Sequence, residues 1–266
     1  MRPNVYRFTV RHHGILINMA YQGPNRPRKA VILAHGLPSS PPKPLDHEFS
    51  GLLRSGFMIA IPQYIGTFDS YGRSNIENCV DTILDTISLI KRGRATELFG
   101  LRRIGWRATE IVLIGGSFGG SVVLVAGAKS RYASKIIAIA PPTDYRDQGK
   151  RSEYAEERIS DERCIMKRVQ PFTWRLSDGT WRRLENGSLD INAVDYAGRL
   201  SSKRVLLIHG KEDDAVNFNR SVDLYERIKG GGAAKLMLIK NEGHMNLKAL
   251  DKPEVYRQVI EWIKSD

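Results

Sequence analysis

The sequence predicts an α/β fold, with a mostly parallel central sheet flanked by helices and one insertion late in the chain. Three observations carry that expectation. Short apolar runs such as Ala30 to Ala34, Phe57 to Ile61 and Ile111 to Ile114 are bounded by Gly, Pro or charged residues, as strands buried on both faces are. Segments with apolar residues at helical spacing alternate with these runs. A turn rich in small residues, Gly115-Gly116-Ser117-Phe118-Gly119-Gly120, joins one strand-like run directly to a helical one.

Taken in order, Tyr6 to Val10 and Ile15 to Met19 alternate apolar and polar residues around His13-Gly14, which predicts a hairpin at the sheet edge. Ala30 to Ala34 and Phe57 to Ile61 follow as buried strands. Ile76, Val80, Ile83, Leu84, Ile87 and Ile90 recur at helical spacing, so Ile76 to Lys91 presents one apolar face to the sheet. The strand ending at Ile114 leads into a helix over Phe118 to Lys129. Further strands are expected at Lys135 to Ala140, Arg204 to Ile208 and Lys235 to Lys240, with helices over Phe218 to Ile228 and Pro253 to Ile263. The last helix opens with Asp251-Lys252-Pro253-Glu254, where proline suits a first turn with unpaired N–H groups and acidic side chains favour the helix N-terminus.

Residues 141–203 break this rhythm. Within them, Tyr154 to Lys167 reads as a heavily charged helix. Phe172 to Leu176, Ser177-Asp178-Gly179 and Thr180 to Leu184 read as a hairpin with aromatic faces. The chain therefore divides into a core of 1–143 and 201–266 and a lid or cap of 144–200. A lid over Ser117 excludes water and shapes a pocket, with Phe172, Trp174 and Trp181 as substrate-binding walls. The competing reading is that these aromatics only anchor the insertion to the sheet.

With 266 residues and 41% apolar content, the chain can bury one sizeable core. Its net charge of +12 invites a nucleic-acid reading, but the basic residues are scattered over Arg26 to Lys29, Lys91 to Arg94, Arg102-Arg103 and Arg182-Arg183, without an RNA-binding aromatic motif. No specific nucleic-acid partner is expected, and the surplus is read as a solvated surface that steers anionic substrates. Cys79 and Cys164 are too few for a disulfide framework and fit a reducing cytoplasm. The first residues lack an apolar signal core, and no run reaches the roughly 18 apolar residues of a membrane span. A cytoplasmic protein is expected. There is no H-E-x-x-H, no paired Cys-x-x-Cys and no phosphate-loop lysine after the glycines, so neither metal nor cofactor is expected.

The chemistry is sought at the strand ends. A side chain at the tip of a tight strand-to-helix turn is pushed clear of the backbone, and the helix N-terminus offers unpaired amides to a developing oxyanion. Ser117 therefore reads as a nucleophile and Phe118 N–H as a first oxyanion donor. Later strand-like runs end in Lys211-Glu212-Asp213-Asp214 and in Asn241-Glu242-Gly243-His244. A histidine near neutral pKa can take the serine proton and return it to the leaving group, while a carboxylate on its other nitrogen fixes the tautomer. Order and spacing favour His244 over His35 and His209 as the base, and Asp213 as the acid, with Glu212, Asp214 and Asp144 as alternatives.

These pieces resemble the α/β-hydrolase superfamily, and within it the small serine hydrolases of the prolyl oligopeptidase and dienelactone hydrolase branch. The resemblance spans residues 28–265 and rests on Leu33-Ala34-His35-Gly36-Leu37-Pro38, on Gly115 to Gly119, on Gly210-x-x-Asp213-x-x-Val216 and on Gly243-His244. It implies Leu37 N–H as the second donor of the oxyanion hole, beside Phe118 N–H. His35 is then expected to bond the oxyanion loop and His209 to pack beneath the acid turn. Two departures stand out: the dienelactone hydrolases carry cysteine where this chain has Ser117, and the oligopeptidases carry a large β-propeller without counterpart in these residues. The implied function is a serine hydrolase that cleaves a carboxylic ester through an acyl-enzyme, using Ser117, His244 and Asp213 as catalytic triad. A small exopeptidase or amidase is the second reading. A hydrolase-shaped binding protein with a vestigial site is the third.

Overall fold

The computed structural model describes residues 4–23, 27–44, 46–151, 154, 156–169 and 173–265, with backbone only at 162 and 169. The chain opens with the hairpin β1 (Val5–His12) and β2 (Ile15–Gln22), followed by β3 (Lys29–Ala34), the short α1 (Ser50–Arg54) and β4 (Phe57–Pro62). The long α2 (Glu77–Arg92) leads through a separate small hairpin, β5 (Arg94–Thr96) and β6 (Arg103–Gly105), into β7 (Glu110–Gly116). Then come α3 (Phe118–Lys129), β8 (Lys135–Ile139), α4 (Ile159–Val169), α5 (Asp178–Glu185) and α6 (Ala197–Leu200). The chain closes with β9 (Arg204–Gly210), α7 (Asn219–Ile228), β10 (Ala234–Ile239) and α8 (Pro253–Lys264).

Eight strands form one sheet in the order β1-β2-β4-β3-β7-β8-β9-β10. β1 and β2 run antiparallel, and every pair from β4 to β10 in that order is parallel. Parallel strands need crossovers that cover both faces, which is why β4 and β7 are almost wholly buried and read as continuous apolar runs. Two cores result. Apolar residues of α2, α3, α7 and the insertion fill one face, and those of α1, α8 and the turn before α8 fill the other. β7 lies between β3 and β8, so its C-terminal end, which carries Ser117, opens at the centre of the sheet.

The insertion differs from the hairpin expected of it. Ser177 Oγ accepts the N–H of Thr180 at 3.1 Å and caps α5, so Ser177-Asp178-Gly179 starts a helix rather than turning between strands. Trp181 and Leu184, three residues apart, then face the core together, 2% and 0% exposed. Of the expected first strand, Trp174 makes a lone bridge with Thr67, and Phe172 lies outside the described residues. The charged helix begins at Ile159 rather than Tyr154.

Side chains tie the insertion down. Arg220, at the start of α7 and 2% exposed, donates to Glu156 at 2.8 and 2.6 Å and to Asp147 at 2.5 Å. Arg183 pairs with Glu77 of α2 at 2.6 Å, and Arg175 donates to Gly66 O at 3.0 Å.

Candidate active site

Ser117 occupies the N-cap of α3 with φ 53° and ψ −128°, a region that a residue with a side chain rarely enters. Close packing holds it there. A methyl group on Gly115 would stand 2.1 Å from Gly119 O, and one on Gly119 would stand 2.2 Å from Ala34 O. Ser117 N–H also donates to Ile139 O of β8 at 2.8 Å. The hydroxyl is thereby projected from the tip of the turn, in front of the first amides of α3. Phe118 N–H, the first of that helix, has no intrahelical carbonyl to reach.

Ser117 Oγ lies 2.8 Å from His244 Nε2. On the far side of the ring, His244 Nδ1 lies 2.8 Å from Asp213 Oδ2 and 3.1 Å from Oδ1. His244 comes from the loop after β10 and Asp213 from the loop after β9, so the C-terminal ends of β7, β9 and β10 converge on one point. The carboxylate of Asp213 is fully buried, whereas the His244 side chain is 27% exposed.

Burial alone would push the Asp213 carboxyl upward. Instead the hydrogen bonds from His209 and His244, the charge of His244 and the Val216 amide hold it at about 2, so it is ionised at neutral pH. Oδ1 accepts the N–H groups of Ala215 at 3.0 Å and Val216 at 2.8 Å. His209, wholly buried, faces Asp213 Oδ2 at 3.1 Å and Val216 O at 2.9 Å through Nε2, and Ser221 Oγ at 2.7 Å through Nδ1. Two acceptors at Nε2 require the proton there. His209 thus donates through Nε2 to Asp213.

The loop after β3 closes the other side. A methyl group on Gly36 would stand 3.3 Å from Ser117 Cβ, so this loop lies against the serine. His35 is buried, with Nδ1 3.1 Å from Gly36 O and its ring 4.4 Å from that of Tyr64. Burial lowers its pKa to about 4, against a smaller opposing effect of the Gly36 carbonyl. Tyr64 Oη donates to His35 O at 2.8 Å and Trp174 Nε1 to Ser39 O at 3.2 Å, which pins the loop at two points. In front of it lies a cleft of about 230 Å³, lined by Leu37, Pro38, Pro42, Ser117, His244 and Leu247, with Glu48 and Lys248 supplying charge.

The structure therefore brings Ser117, His244 and Asp213 into one hydrogen-bonded chain and sets Leu37 and Phe118 beside it. Of the alternative acids, Asp144 binds Arg146 at 2.8 Å, while Glu212 and Asp214 are exposed. Trp174 and Trp181, 4% and 2% exposed, are not among the residues lining the cleft. Trp174 backs the loop after β3, and Trp181 packs in the core. Sequence reasoning placed His209 under the acid turn but missed its bond to Asp213, which depends on how the loop after β9 curls back. Among the described residues, no group of three or more His, Cys, Asp or Glu side chains is placed to hold a metal ion, and no helix is long and apolar enough to cross a membrane.

Comparison with known proteins bears on the fold and the family. Residues 45–266 match the model of the prolyl oligopeptidase family. No curated protein matches the chain. Similar solved structures include an esterase from Pyrococcus furiosus, 17% identical, covering 99% of this chain and 91% of that one with a TM-score of 0.67. Est1E from Butyrivibrio proteoclasticus is 18% identical, with coverages of 97% and 99% and a TM-score of 0.62. The acylaminoacyl peptidase of Pyrococcus horikoshii is 16% identical, with a TM-score of 0.66; the match takes in 97% of this chain and 41% of that one. At such identities the likeness is one of fold.

Proposed function

The chain belongs to the prolyl oligopeptidase family of serine hydrolases, and from that premise we propose that it cleaves carboxylic esters through an acyl-enzyme formed on Ser117. The observation that most supports this reading is the 2.8 Å contact of Ser117 Oγ with His244 Nε2, continued at 2.8 Å to the ionised Asp213. As Ser117 Oγ attacks the substrate carbonyl carbon, His244 Nε2 takes its proton. Asp213 keeps the other ring proton on Nδ1 and stabilises the imidazolium. Leu37 N–H and Phe118 N–H receive the oxyanion. His244 then protonates the leaving alkoxide, and water repeats the sequence on the acyl-enzyme to release the acid.

The ester is favoured as substrate because Leu37, Pro38, Pro42 and Leu247 give the cleft apolar walls suited to an acyl chain, and an alkoxide leaves with less demanding protonation than an amine. One observation favours the exopeptidase or amidase reading: Glu48 puts a carboxylate into the cleft, where the ammonium group of an aminoacyl substrate finds a counter-charge. In either case residues 144–200 act as a cap that backs the oxyanion loop through Trp174 rather than walling the cleft. Two unpaired cysteines support a reducing, cytoplasmic setting.

The test is kcat/KM on p-nitrophenyl esters of increasing chain length and on aminoacyl p-nitroanilides, each with Ser117→Ala as control. Serine-dependent ester cleavage with negligible anilide turnover supports the esterase, and the preferred length sizes its cleft. Comparable anilide turnover makes it a peptidase or amidase. Failure to form a serine adduct with a fluorophosphonate leaves the vestigial binding protein.

A further inference from the structure

At the outer edge of the sheet, Val10 of β1 bridges Glu97 just past β5, and Leu98 N–H donates to Thr9 O at 2.7 Å. The chain turns back just beyond this bridge, where Glu97 N–H donates to Arg102 O at 2.8 Å, so Phe99, Gly100 and Leu101 form the tip of the β5–β6 hairpin. Phe99 at 79% and Leu101 at 75% are the two most exposed of the seven exposed large hydrophobic side chains among the described residues. The tip that carries Phe99 and Leu101 is held by the Glu97 carboxylate, which accepts Phe99 N–H at 3.3 Å and Gly100 N–H at 2.6 Å. Leu101 adopts a left-handed φ of 51°. A turn fixed in this way presents its apolar side chains to solvent instead of folding them back.

The surroundings are basic. Arg7, Arg94, Arg102 and Arg103 are all exposed, and the register Arg94↔Gly105 and Thr96↔Arg103 puts Arg94 and Arg103 on one face of the β5–β6 hairpin. Glu97 is 7% exposed and held by the tip amides, and its single charge leaves the four arginines in excess.

We propose that this edge docks on an anionic lipid surface, with Phe99 and Leu101 entering the boundary between headgroups and acyl chains and the arginines pairing with lipid phosphates. A second copy of the chain would set the same four arginines against themselves. A nucleic acid would satisfy the arginines but leave Phe99 and Leu101 in water. β2, β4 and β3 separate this edge from β7, a span of about 19 Å at the usual strand spacing, so docking leaves the cleft beside Ser117 free.

The experiment is cosedimentation of the full chain with vesicles of phosphatidylcholine alone and of phosphatidylcholine with phosphatidylglycerol. The expected result is binding to the anionic vesicles only. Phe99→Ser with Leu101→Ser, and separately Arg102→Glu with Arg103→Glu, each weaken it about tenfold or more, while circular dichroism and turnover of a soluble ester stay unchanged. The proposal is overturned by absence of binding to anionic vesicles, or by binding that the serine variants leave intact, which would be surface charge alone. It is equally overturned by a dimer in sedimentation that the serine variants dissociate.

Discussion

At the turn around Ser117, backbone packs on backbone. One methyl group at Gly115 or Gly119 would collide with a carbonyl oxygen, and no side chain mediates the fit. In the insertion between β8 and β9, by contrast, side chains do the holding. Arg220 reaches Glu156 and Asp147, Arg183 reaches Glu77, and Trp174 and Trp181 are driven into apolar surroundings. Backbone contacts of the first kind leave few substitutes, so the proposed nucleophile is fixed by a handful of neighbouring residues. Contacts of the second kind join residues far apart in sequence, and each can be exchanged for another of similar size or charge. The proposed chemistry thus sits on the rigid part, and the insertion is the part whose contacts can be altered without disturbing it.

The contrast can be broken or sharpened by substitution. The largest expected effect is on the rigid side: Asp213→Asn lowers kcat by about 10⁴-fold with the fold intact, because the His244 tautomer is no longer held, and Asp214→Asn leaves steady-state turnover near wild type. On the other side, Trp181→Ala costs about 3–5 kcal/mol in urea unfolding, since it empties a buried site. Unchanged stability with an altered preference for ester chain length would instead make Trp181 a wall of the cleft.

His35 links the two regions, touching Gly36 on one side and Trp174 on the other. Its pKa is about 4 folded and 6.5 ordinarily, so the unfolded chain takes up the proton first as pH falls. The stability that depends on neutral His35 is complete above pH 6.5 and is lost as pH falls towards 4, by about 3 kcal/mol. Urea midpoints followed from pH 7 to pH 4 should fall more steeply for wild type than for His35→Gln; parallel curves would contradict the assignment. The smallest effect is expected of Leu37→Ala. It leaves the backbone N–H in place and changes kcat/KM less than about threefold, whereas loss of an oxyanion donor costs about 10²-fold or more. A loss of that size would remove Leu37 from the oxyanion site.

The same division governs what could be read from the sequence. The strands were legible because burial on both faces leaves uninterrupted apolar runs such as Ile111 to Ile114, and the turn because glycine is required on both sides of Ser117. Asp213 and His244 followed from their places after two strands. Helix α5 was not legible, because Ser177-Asp178-Gly179-Thr180 serves equally as a hairpin turn and as a helix cap. What decides is whether Trp181 and Leu184 find a common core, and that core is built by distant residues. The β5–β6 hairpin was missed because its strands are three residues each, too short for alternation to show. The His209–Asp213 bond depends on how the loop after β9 curls back, which no pattern of residue types encodes.

The backbone angles of Ser117 carry a consequence for anyone who evolves this protein. A residue with a side chain at φ 53° and ψ −128° costs about 1–3 kcal/mol, a penalty that glycine largely escapes. A selection that scores only folding or heat resistance therefore rewards glycine at position 117 and enriches variants without the proposed nucleophile. On the proposed mechanism, serine persists there only under a selection that counts product formed.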